Sequence, residues 1–217
     1  ANPANYAAHL KQAEQELARV TEITKQTLHF YREPARPGPV NVMPVLESVL
    51  ALYHPRIASA GVHVQREFQT AIPILAAPGE LRQVFSNLII NAVDAMRHGG
   101  RLIIRTRSAS DPANPAIRGV RVSIADNGVG ISKEILHRIF EPFVTTKGET
   151  GTGLGLWVTA EIVHKLGGRV RVRSRVSSQP NDRATIKTAF SIFFPAYSEA
   201  PAPAQSGEVI AAATTVR

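Results

Sequence analysis

With 217 residues, 44% of them apolar, the chain can form one domain of about 150 residues plus appendages. No apolar run is long enough to span a bilayer and no signal peptide leads the sequence, which predicts a cytoplasmic region of a parent that is either soluble or membrane-anchored. The absence of Cys excludes disulfides and Cys-based metal sites, the seven His lack zinc-ligand spacing, and the net charge of +8 raises nucleic-acid binding as a question.

In chain order, Tyr6, Leu10, Ala13, Leu17, Val20, Thr24, Thr27 and Tyr31 recur at alternating spacings of four and three. This predicts a heptad-like helix over 1–34, which needs either a partner helix or its own domain to cover it. It ends at Glu33-Pro34, and 35–41, with Ala35-Arg-Pro-Gly-Pro39, reads as a stiff linker. A domain over 42–196 follows, with helix 42–60, strand 62–68, helix 79–97, strands 101–107 and 118–125, and a short helix 132–140. A loop, helix 153–166, and strands 169–176 and 184–194 complete it. Asp111–Pro115 and Ser177–Asp182 read as hairpin loops, and 197–217 reads as a flexible tail. Mixed elements with mostly antiparallel strands predict an α+β, two-layer sandwich.

Much of the charge lies on strands. Arg169, Arg171, Arg173 and Arg175 alternate with Val170, Val172 and Val176, an apolar face inward and a basic face outward. A sheet covered by helices on one side accounts for this pattern. No exposed aromatics interleave for base stacking, so nucleic acid is not an expected partner.

The helix at 79–97 contains Asn87-Leu-Ile-Ile-Asn91-Ala-Val-Asp94. Asn87 and Asn91 lie four apart, share one helix face, and interrupt the edge of an apolar stripe. Buried amides need partners, so these two either meet a polar group or simply cap a loop or face water. Asp126-Asn-Gly128-Val-Gly130 ends a strand and offers a fixed carboxylate acceptor at a tight turn. Ile139-Phe-Glu-Pro-Phe143-Val-Thr-Thr-Lys147 follows, and then Gly151-Thr-Gly153-Leu154-Gly155 opens a helix. A glycine-rich loop entering a helix N-terminus suits phosphate, although many such strings are only flexible loops.

These four elements, in this order, resemble the N box, first glycine box, F box and second glycine box of sensor histidine kinases, over roughly residues 42 to 195. Those kinases belong to the GHKL superfamily, together with DNA gyrase, mismatch-repair ATPases and a heat-shock chaperone. The resemblance implies ATP and Mg²⁺ as cofactors. It makes Asn91 the Mg²⁺ ligand and places Asn87 beside it near the phosphates, both as catalytic residues. Asp126 is the adenine acceptor, Gly128 and Gly130 permit backbone approach to the base, and Gly151, Gly153, Leu154 and Gly155 form a phosphate-holding lid. Thr188 supports adenine, although the family's usual Gly before it is Lys187 here. By its charge Lys147 is a phosphate partner, or else a solvated lid lysine.

ATP-hydrolysing members of the superfamily carry Glu where this chain has Asn87. An amide takes up no proton at neutral pH, so the resemblance points to phosphoryl transfer rather than hydrolysis. Residues 16–32 resemble the second helix of the histidine-kinase dimerisation hairpin, which implies a homodimer. The acceptor motif, a His followed by an acid, is not met at His9 or His29. The expectation is therefore a piece of a longer kinase, whose acceptor His precedes Ala1 and whose further partner is the receiver domain of a response regulator. The alternatives are a GHKL ATPase coupling ATP binding to conformational change, and a dimerising regulator that binds ATP without transfer.

Overall fold

The computed structural model describes residues 36–148, 151–176 and 185–198. The expected heptad helix, the hairpin loop at 177–182 and the tail beyond 198 lie outside the described residues.

Strand β1 (Gly38–Val40) leads into helix α1 (Val42–Leu52), whose N-cap Asn41 accepts a hydrogen bond from the Met43 N–H at 3.0 Å. A single helix over 42–60 is not what forms. The chain breaks at Tyr53 and restarts as α2 (His54–Ser59), with Pro55 in its first turn. Pro55 has no N–H for the preceding turn, and its ring would clash with the carbonyl four residues back. Strand β2 (Val62–Phe68), strand β3 (Ile74–Ala76) and helix α3 (Pro78–Ala95) follow. Strands β4 (Gly100–Ser110) and β5 (Arg118–Asp126), helices α4 (Lys133–Leu136) and α5 (Gly155–Lys165), and strands β6 (Arg169–Ser174) and β7 (Thr188–Pro195) complete the order.

Five strands form one sheet in the order β2-β4-β5-β7-β6, parallel between β2 and β4 and antiparallel elsewhere. A small antiparallel pair, β1 with β3, lies apart. Helix α3 packs between α1 and α5. Its buried stripe of Leu81, Val84, Phe85, Leu88, Ile89 and Ala92 belongs to one core with Leu102, Ile104, Val122, Ile124, Ile192 and Phe194 of the sheet. The fold is thus the expected two-layer α+β sandwich.

The alternation that turns Val122 and Ile124 inward turns Arg121 to the other face, in register with Phe193 and, one strand on, with Arg169. Phe193 is nonetheless only 2% exposed. Arginine stems covering apolar surface while their heads stay wet account for part of the net charge without any ligand. Among the described residues no helix is long and apolar enough to cross a membrane.

Candidate functional site

The site is assembled where α3, the end of β5, the start of β7 and the loop before α5 converge. Asn87, Asn91 and Asp94 are half-buried on α3. They lie one turn apart and therefore share a face. Asn87 looks towards α5. Its Nδ2 donates to the Gly155 carbonyl at 2.8 Å and to Thr159 Oγ1 at 3.3 Å, while its Oδ1 accepts from Gln83 Nε2 at 3.2 Å. The Nδ2 end of this amide seats the first turn of α5 on α3, while Gln83, one turn earlier on α3, holds the oxygen end.

Asn91 faces the stem of the loop. Its Oδ1 accepts from Lys147 Nζ at 2.7 Å, and the same ammonium donates to Asp94 Oδ2 at 2.7 Å. Arg56 Nη2 holds the other Asp94 oxygen at 2.6 Å. Partial burial works against ionisation of Asp94, but the hydrogen bonds and charges of Lys147 and Arg56 outweigh it and hold the carboxyl below its ordinary value. In the sequence the only pointer to Asp94 is its place three residues after Asn91, on the same helix face.

Asp126 closes β5 and is 4% exposed. The Gly128 N–H donates to its Oδ1 at 2.9 Å. Its other oxygen has no hydrogen-bond partner among the described residues. Among the described residues no fully buried side-chain polar atom lacks a partner, so that oxygen is not fully buried. Burial pushes the carboxyl up to about 6, against the pull of the Gly128 N–H. Thr188 is the cross-strand neighbour of Asp126 and is equally buried, with its Oγ1 2.9 Å from Ser174 Oγ. The N–H of Lys187, at the family's usual Gly position, donates to the Asp126 carbonyl at 2.8 Å. The backbone pairing therefore tolerates the departure.

Gly128 and Gly130 flank the turn after Asp126. A Cβ on Gly128 would lie 2.6 Å from the Ala95 carbonyl oxygen at the end of α3. This close approach of helix end to turn, beside any approach to a ligand, requires Gly there. Gly153 has φ +68 and lies against the Phe143 backbone, whose N–H donates to the Gly153 carbonyl at 3.1 Å. Phe143 itself takes φ 67 and stays 65% exposed. The F-box and second glycine box thus cross at one strained point. Gly151 packs on Thr145, and Leu154 is buried as the residue preceding α5. No side chain caps α5, which leaves first-turn N–H groups directed out of the helix.

Among the described residues no three His, Asp or Glu cluster closely enough to hold a metal by themselves. A metal here needs oxygens from elsewhere, the usual situation of Mg²⁺ bound between one or two side chains and phosphates. The Lys147 ammonium already takes one amide oxygen and one carboxylate oxygen, so this hard-oxygen pair does accept a cation.

Residues 76–198, more than half of the chain, match the family of histidine kinase-, DNA gyrase B- and HSP90-like ATPases. The chain belongs to this family. The ATPase-family chain is 33% identical over 173 residues to sporulation kinase D of Bacillus subtilis, covering 75% of itself and 31% of that protein. It is 32% identical over 199 residues to the sensory histidine kinase/phosphatase NtrB of Azospirillum brasilense, covering 86% of itself and 47% of NtrB. It therefore spans less than half of either relative. Full-length ShkA, solved in complex with AMPPNP, is similar at TM-score 0.63 and 26% identity, over 92% of this chain and 40% of ShkA.

Proposed function

We propose that this chain is the ATP-binding catalytic region of a two-component sensor histidine kinase. The observation that carries this reading is the pairing of Asp126 with Thr188 at adjacent strand ends, beside a helix whose Asn91 meets the lid lysine. In this reading Asp126 accepts a hydrogen bond from the adenine amino group through its unpaired oxygen. Thr188 holds the wall beside it, and the first-turn N–H groups of α5 hold phosphate. Asn91 offers an amide oxygen to the metal, and Lys147 meets phosphate charge. Mg²⁺, when bound, supplies charge neutralisation and alignment of the phosphate oxygens. The phosphoryl group goes to a His and thence to an Asp of a response-regulator receiver domain, within a homodimer built on the heptad-patterned segment 1–34. The domain bounds 42–196 belong to the same proposal.

The ATPase reading needs a group to activate water. Asn87 occupies the position where a general base is wanted, and its amide is engaged by Gly155, Thr159 and Gln83. Hydrolysis is therefore expected to be slow. None of the seven His is followed by an acid. The chain should accordingly bind ATP without labelling itself, and should transfer phosphoryl when a hairpin helix carrying His and acid is supplied. Incubation with γ-labelled ATP, followed by acid treatment and peptide mapping, tests both points. Fast phosphate release to water would favour the ATPase, and stable label on His9 would refute the assignment of the first helix.

The loop from Lys147 to Gly155 offers few apolar anchors. Its amides should exchange faster than those of the sheet and should slow markedly with a Mg-nucleotide analogue. Equal exchange with and without the analogue would leave its glycines a purely structural role.

A further inference from the structure

The proposed function uses Asn91 and Lys147 but gives no role to Asp94, whose carboxylate lies between Lys147 and Arg56. A carboxylate beside a triphosphate repels it, and no such group is needed to fold α3, whose packing on the core rests on its apolar stripe. What Asp94 does in the structure is fix an ammonium. Lys147 lies 53 residues further along the chain, in the stem of the glycine loop, and its ammonium meets both α3 side chains. Its side chain is 34% exposed and that of Asp94 is 26% exposed, so the pair is partly desolvated but not sealed. Such a pair is strong enough to bias a loop and weak enough to be exchanged.

The oxygen that Lys147 takes on Asn91 is the one that, in the proposed function, the metal requires. A dication and an ammonium on one amide oxygen repel each other unless phosphate oxygens come between them. We infer that Asp94 is a positioning residue that stations Lys147 on the Asn91 amide oxygen, so that loading of the Mg-nucleotide exchanges the ammonium for the metal and frees Lys147 to meet phosphate. This rests on the nucleotide-site reading above. Arg56 bonds the other Asp94 oxygen, which Lys147 does not use.

The test is a cycle on the whole chain with Asp94→Asn, Lys147→Met and the double variant. It reads the free Mg²⁺ concentration that half-saturates binding of a non-hydrolysable ATP analogue, together with amide exchange of the loop. With Lys147 present, Asp94→Asn should lower the half-saturating Mg²⁺ by about threefold to tenfold, the effect of weakening one partly exposed ion pair that carries an extra hydrogen bond. Without Lys147, Asp94→Asn should give no such gain. Loop exchange in the absence of the analogue should rise in each single variant and rise no further in the double.

An Asp94 effect of equal size in both backgrounds, in either direction, overturns the inference, because it makes Asp94 act on metal or triphosphate directly. Arg56→Met breaks the other ion pair of Asp94 and spares Lys147. It should leave the Mg²⁺ requirement unchanged, and reproduction of the Asp94→Asn shift by this variant would mean that Asp94 acts by clamping α2 to α3. Failure of the unaltered chain to bind the analogue in a Mg²⁺-dependent way would instead remove the nucleotide-site reading, and the inference with it.

Discussion

Asp126→Asn is expected to weaken ATP binding by about 10- to 100-fold and, at the same time, to make the fold more stable. Both effects come from burial of one carboxylate. A hydrogen bond to a charged acceptor contributes about 1.5–3 kcal/mol, and the neutral amide forfeits most of it while still accepting the Gly128 N–H. The ATP-over-GTP preference should collapse with it, while the Mg²⁺ dependence survives, since no metal ligand is touched. For stability the sign follows from the direction of the shift. The folded carboxyl titrates at about 6, above its ordinary 3.8. Its contribution to stability is therefore fully present below the unfolded value and is lost as the pH rises through 6. A gap of roughly two pK units corresponds to about 3 kcal/mol of cost at neutral pH, an upper bound for what Asn relieves. Denaturant unfolding at pH 5 and pH 8 should show the variant gaining more at pH 8. ATP affinity of the unaltered chain should rise between pH 5 and pH 7, and that of the variant should stay flat. Calorimetric titration with ATP and GTP completes the test. Full ATP affinity in a destabilised variant would refute the adenine role of Asp126.

The coupling of a destabilised carboxylate to a binding role was only half legible in the sequence. The residue types were readable, because an Asp at a strand end before two glycines is a local pattern. So were most elements. Strand β2 runs over Val62–Phe68, the expected span, and α3 follows its 3.6-residue stripe to within a residue or two. Where local signals compete, the reading loses accuracy. Apolar spacing carries through 42–60, yet Pro55 splits it into two helices. Strands β1 and β3 have three residues each, too few for any period, and exist because they pair with each other. The short helix expected over 132–140 shrinks to Lys133–Leu136, with irregular turns after it.

Contacts distant in sequence were the hidden part of the site. That Thr188 lies opposite Asp126 is decided by the register of β5 with β7, and that Asn87 seats α5 is decided by how two helices pack. The reason for Gly128 was likewise invisible, since it lies in the Ala95 carbonyl of another element. Asp94 belongs to the same class. Its partners Arg56 and Lys147 lie 38 and 53 residues away, and nothing local announces them.

The largest loss of all is expected from Asn91→Ala. Among the described residues no acidic cluster stands ready to hold the metal in its place. A hard cation that keeps few protein ligands depends heavily on each of them. Loss of an outer-shell partner of a metal ligand already costs about 10- to 100-fold in metal affinity, and loss of the ligand itself should cost at least the upper figure. The fold should scarcely notice. Asn91 is half-buried, its side chain meets Lys147, and that ammonium keeps Asp94 when the amide is gone. The unfolding midpoint should therefore shift by no more than about 0.5 kcal/mol equivalent, the usual range for a change that breaks no buried network. Two titrations separate the outcomes. With excess chelator, ATP analogue affinity should be the same in the variant and the unaltered chain, because Asp126 and the loop are intact. With saturating Mg²⁺, only the unaltered chain should gain affinity. Asn91→Asp, which returns an oxygen with a full charge, should restore part of that gain. An Ala variant that gains from Mg²⁺ as strongly as the unaltered chain would place the metal elsewhere, and would leave Asn91 as no more than the anchor of Lys147.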